Sequence, residues 1–91
     1  MSKHQFIVQF GENWDGGEQE RDAVTRFIKE IVPAAEVRPR RVDLVEIKVF
    51  VVEGEGSKER EVFSSAQRDF FRKNGHRGKK PLQDALSKEF K

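Results

Sequence analysis

The stretch Val42-Asp43-Leu44-Val45-Glu46-Ile47-Lys48-Val49-Phe50-Val51-Val52 is the longest apolar, β-branched run of the chain. Val45, Ile47, Val49 and Val51 recur at period two and share one face, while Leu44, Glu46, Lys48 and Phe50 share the other. One face is wholly apolar and the second only partly covered, which predicts a central strand. The rest of the chain is read by what can be laid against it.

Upstream, Gln5-Phe-Ile-Val-Gln-Phe10 is β-prone and closes at Gly11, predicting a strand with Phe6, Val8 and Phe10 on one face. The loop Gly11-Glu-Asn-Trp-Asp-Gly-Gly17 follows and holds the only Trp. From residue 18 to residue 32 the period becomes helical. Val24, Phe27, Ile28 and Ile31 form one stripe, Glu18, Glu20 and Asp22 sit where the helix dipole favours anions, and Pro33 ends the run. Val37-Arg-Pro-Arg-Arg41 reads as an extended basic connector into the central strand.

Downstream, Glu53-Gly-Glu-Gly-Ser57 is a turn, and Arg60-Glu-Val-Phe-Ser64 is the charged return strand of a hairpin, at a sheet edge. Ser64-Ser-Ala-Gln67 has the form of a capping box, with Ser64 as N-cap. It predicts a short helix to Lys73 with Ala66, Phe70 and Phe71 turned inward, stopped by Asn74-Gly75. Pro81 at the first helical position then opens a terminal helix with Leu82, Ala85, Leu86 and Phe90 as its stripe. The 31 residues between the first strand and the central one allow a right-handed crossover, so those two strands are expected to be parallel. The expected architecture is a single α+β domain over residues 1–91. It is a two-layer β-α-β-β-α-α sandwich with a three-stranded mixed sheet and helices on the better-covered face.

Composition sets limits on function. Ninety-one residues hold one core. The chain is 35% apolar and 37% charged, so that core is small, and eight Phe, each burying ~150–250 Å², compensate. The absence of Cys excludes disulfides, thiolate zinc sites and thiol catalysis. Met1-Ser-Lys-His-Gln5 lacks an apolar leader region and no apolar run approaches the ~18 residues of a membrane span, so a soluble cytoplasmic protein without membrane contact is expected. Charge is uneven. Residues 1–37 carry a net −3, residues 38–56 are neutral, and residues 57–91 carry +5. A localised potential of this kind steers partners.

The most suggestive stretch is Asn74-Gly-His-Arg-Gly-Lys-Lys-Pro81, a run of cations just before a helix start, where a bound anion would relieve the conflict with the dipole. It does not match the phosphate loop of nucleotide hydrolases. Arg38, Arg40 and Arg41 form a second cluster, and Arg68, Arg72 and Lys73 a third. Converged on one face, they would suit a nucleic-acid backbone. The leading expectation is therefore a non-catalytic binding module whose basic C-terminal half contacts a polyanion, nucleic acid foremost. Arg38, Arg40, Arg41, Arg72, Lys73, Arg77, Lys79 and Lys80 would neutralise phosphates without reading bases. A solvated basic surface is the plainer reading of the same residues. The helix pair 65–73 and 81–90 is a poor helix-turn-helix, because its connection is long and its second helix offers few base-reading side chains.

The alternative expectation is a protein-interaction or homodimerisation module. It would use Leu44, Phe50 and Val52 on the exposed side of the central strand, with Trp14 and Phe71. Catalytic means are sparse. There are two His and no Cys or Tyr, Ser64 and Ser65 are explained as caps, and Glu12, Asn13 and Asp15 do not match a calcium loop. A protein that is not an enzyme, with no cofactor and no metal, is expected.

The order of strand, loop, helix ending in Pro, strand, hairpin and helix resembles that of small thioredoxin-like proteins of the selenoprotein W type. Ile31-Val-Pro33 before the second strand and Val62-Phe-Ser64 after the hairpin look like positions in that pattern, which covers about two thirds of the chain. The resemblance implies a thioredoxin-like arrangement without redox cysteines. The loop after the first strand reads Gly11-Glu-Asn-Trp-Asp15, with no sulfur, so the family's redox chemistry does not carry over.

Overall fold

The structure is a computed structural model that describes residues 4–11, 18–43, 46–53, 58–71 and 74–90. Among these residues four strands and two helices follow one another. They are β1 (Gln5–Gly11), α1 (Glu18–Ile31), β2 (Glu36–Val42), β3 (Glu46–Glu53), β4 (Lys58–Ala66), a 3-10 turn (Gln67–Phe70) and α2 (Lys79–Phe90). The strands form one mixed sheet in the order β2-β1-β3-β4. β1 runs parallel to β2 and antiparallel to β3, and β3 runs antiparallel to β4. The α+β class expected from the sequence is the class observed.

Three expectations about the sheet are corrected. It has four strands rather than three, because the basic segment 37–41 is not a connector but most of β2. Pro39 disguises it, since proline lacks an amide donor, yet β2 is an edge strand and tolerates the loss. The run 42–52 is divided: Val42 ends β2, and β3 begins at Glu46. The parallel partner of β1 is accordingly β2, and β3 is antiparallel to it. The crossover through α1 is complete by residue 36, where the Glu36 amide donates to the His4 carbonyl (2.8 Å), so the following strand returns. Leu44, Val45 and residues 54–57 of the expected turn lie outside the described residues.

The period-two reading of the faces holds. Phe6, Val8 and Phe10 of β1 and Ile47, Val49 and Val51 of β3 are buried on the same side of the sheet. Both helices cover that side. Val24, Phe27 and Ile28 of α1 meet Leu82 and Leu86 of α2 in one apolar cluster. Each such side chain removed from water stabilises by about 1.5–3 kcal/mol. Glu20 extends the inward face of α1 by a turn and is buried.

The segment after the hairpin departs most from expectation. No capping box forms and no helix starts at Ser64. β4 continues to Ala66, Ser64 pairs with Lys48 in the ladder, and a 3-10 turn follows at Gln67–Phe70. The Ser65 hydroxyl donates to Asp69 instead of capping a helix. The reason is Gln67. Its side chain is spent on the backbone of Gly11, with the Gly11 amide donating to Oε1 and Nε2 donating to the Gly11 carbonyl, both at 2.8 Å. This buried pair imitates a strand bridge and draws the chain end of β4 across to β1. Gly75 takes the left-handed conformation expected of it (φ 66°), and α2 begins at Lys79 rather than at Pro81. Gly78 sits on the ring of Phe70, where a Cβ would lie 2.6 Å from Cζ.

Candidate interaction surfaces

Among the described residues, three places gather functional side chains: the open face of the sheet, the basic loop before α2, and a cleft beside α1.

The open face is the side of the sheet that the helices leave bare. Strand register lays its residues out in rows from β2 to β4. One row reads Glu36, Gln5, Val52, Glu59; the next reads Arg38, Ile7, Phe50, Glu61; the third reads Arg40, Gln9, Lys48, Ser64. Ile7, Phe50 and Val52 are half-buried and form an apolar centre, with ionised groups on either side. Arg40 lies over Phe50, its guanidinium 5.5 Å from the ring centre, and ends in an ion pair with Glu59. Lys48 reaches Glu61 at 3.8 Å and Glu46 at 4.0 Å. Such exposed pairs contribute little stability each.

The two edges of this sheet are poor places for another strand to add. Pro39 interrupts the amide row of β2. β4 is charged at Lys58, Glu59, Arg60 and Glu61, and a register shift opposite Val49 and Phe50 bulges it. These are the devices that blunt edge-to-edge pairing. Among the described residues, the apolar side chains outside the core on this side of the sheet sit on its face, not at its edges.

The basic loop is partly neutralised. Arg77 approaches Asp69 at 3.4 Å, and Lys79 approaches Glu30 at 3.6 Å while lying over the ring of Phe27. The amides of Gly78 and Lys79, which would have cradled an anion, already donate to the carbonyls of Asp69 and His76. Lys80 is exposed and makes no ion pair among the described residues. His76 takes a positive φ of 50° and packs edge-on against Phe27 at 5.3 Å.

Among the described residues, the arginines on the open face do not meet the basic loop before α2. Arg38 and Arg40 stand on the open face, in the rows of Ile7 and Gln9, whereas Arg77, Lys79 and Lys80 belong to the helical side. The sheet lies between them. Arg41 is exposed in the row of Phe10, on the helical side of β2. Arg72 and Lys73 lie outside the described residues, as do Trp14 and Leu44. Of the alternative set, Phe50 and Val52 share the open face, and Phe71 lies beyond the 3-10 turn, off the sheet. Ile7 completes the apolar centre and Arg40 lies over it at Phe50, and neither was assigned to this surface from sequence. The alternation of Gln5-Phe-Ile-Val-Gln9 already placed Ile7 opposite Phe6 and Val8.

The cleft, of about 580 Å³, opens between the first half of α1 and the loop before α2. Gln19, Asp22, Ala23, Arg26, Phe70 and His76 line it. Its described lining sets the Asp22 carboxylate beside the Arg26 guanidinium. Among the described residues, no group of three His, Asp or Glu side chains is placed to hold a metal ion, and no helix is long and apolar enough to cross a membrane.

No protein family, curated protein or solved structure matches this chain.

Proposed function

We propose that this chain is a small, non-catalytic binding module that engages a protein partner through the open face of its sheet. The observation that carries this reading is the row Arg38, Ile7, Phe50, Glu61. It places apolar side chains at the centre of a face that neither helix covers, with opposite charges at its two ends. An apolar centre with a polar rim is the usual anatomy of a contact surface. The blunted edges leave this face as the part of the sheet open to another chain. The order of strand, helix, strand, hairpin and helix supports reading the fold as similar to the small thioredoxin-like proteins, used here as a scaffold without redox chemistry.

The test uses a hydrophobic dye and amide chemical shifts. Dye binding that perturbs Ile7, Phe50 and Val52 and is lost in Phe50→Asp is the expected result. A dye that leaves these residues unperturbed overturns the reading. A second reading, contact with a nucleic-acid backbone, is favoured by the +5 carried by residues 57–91 and by Lys80, which has no ion pair among the described residues.

A further inference from the structure

We infer that the partner seated on the open face is a second copy of this chain, related by a two-fold axis that lies above that face and runs parallel to the strands, over the gap between β1 and β3. The inference rests on the reading of that face as a docking surface and adds its occupant.

A two-fold interface must be self-complementary: what residue i touches across it must touch i in return. The strand order β2-β1-β3-β4 has its midline between β1 and β3. Rotation by half a turn about an axis parallel to that midline, above the open face, stacks the face on itself, bringing β2 over β4 of the copy and β1 over β3 of the copy. In the central row, Arg38 then faces Glu61, and Ile7 faces Phe50, twice each. The row is basic at one end, acidic at the other and apolar between, the pattern this operation requires. An axis across the strands would instead set β2 over β2, with Arg38 and Arg40 on both sides.

The neighbouring rows are compatible. Arg40 falls opposite Ser64, and Glu36 falls opposite Glu59, whose charge Arg40 already meets. Lys48, held by Glu61 and Glu46, falls opposite Gln9 of the copy. Two sheets stacked in this way pack with strands about 30° apart and about 10 Å between layers. Four strands of roughly seven residues present about 450 Å² per copy, from strand spacings of ~4.8 Å and rises of ~3.3 Å. The total is at the low end of specific interfaces, so the dimer dissociates on dilution and is not obligate.

The test is sedimentation of the intact chain over a range of concentrations at low salt, for wild type, Arg38→Glu, Glu61→Arg and an equimolar mixture of the two variants. Circular dichroism checks that both surface variants keep the fold. Each variant alone sets like charges opposite each other at both ends of the row, so its self-association is expected to weaken about tenfold or more. In the mixture, one chain carries R38E and the other E61R. The introduced carboxylate at position 38 then meets the introduced guanidinium at position 61, while the native Arg38 and Glu61 meet at the other end of the row. The mixture is therefore expected to recover the wild-type dimer. A wild type that keeps the mass of one chain throughout, or a mixture no tighter than its components, overturns the inference. If the dye still maps to Ile7, Phe50 and Val52 in that case, the docking face stands and only the second copy falls. If the dye fails as well, both fall.

Discussion

Gln67 illustrates how one side chain can be misread when its partner is 56 positions away. In sequence it stands third after a serine, as a capping box requires, and nothing local distinguishes that role from any other. In the fold its amide group satisfies both backbone groups of Gly11, which is buried. A buried backbone group left without a partner costs about 1–3 kcal/mol. Gln67→Leu keeps the volume but strands the Gly11 amide and carbonyl together, so a loss of that size for each group is expected in urea denaturation. A variant as stable as wild type would show that water replaces the side chain. Gly78 poses the same problem of legibility. It reads as a flexible spacer among cations, whereas its lack of a Cβ is what lets Phe70 stay in the core.

At the scale of elements, β1, α1 and the hairpin were legible because their apolar spacing is regular and their ends carry Gly or Pro. β2 was not, since its burial alternates weakly and proline argues against a strand everywhere but at an edge. The packing of α1 on α2 is legible only in the structure. Gln83 of α2 donates to the Glu30 carboxylate at 2.8 Å and to the Phe27 carbonyl at 3.1 Å, and Lys79 stands near the same carboxylate. The hydrogen bond from Gln83, followed by the charge of Lys79, holds the Glu30 carboxyl below its ordinary value. The folded value lies below the unfolded one, so this contact contributes fully above the ordinary glutamate value, about 4.3, and is lost as the pH falls through the folded value. Carbon-detected NMR titration of the Glu30 carboxyl is expected to show its midpoint rise in Gln83→Ala. An unchanged midpoint would mean that the two helices are not joined there.

At the scale of the molecule, the charge asymmetry was plain in the sequence, but its geometry was not. Residues 38–41 and 77–80 are both basic, and only the sheet topology shows that Arg38 and Arg40 lie on the opposite side from Lys80. That separation sets the test of the nucleic-acid reading. Were the helical side the contact, oligonucleotide affinity would fall steeply with salt, drop in Lys80→Glu and tolerate Arg38→Glu. Absence of binding at low salt removes the reading. The place of β1 has a consequence in time. The first strand of the chain lies inside the sheet, between a parallel neighbour that arrives after α1 and an antiparallel one later still. The β3–β4 hairpin is local and can close quickly, but β1 must be captured from a distance, and such non-local pairing slows folding. The strand made first is thus enclosed on both sides only once β3 is in place, and the alignment of the sheet is settled late.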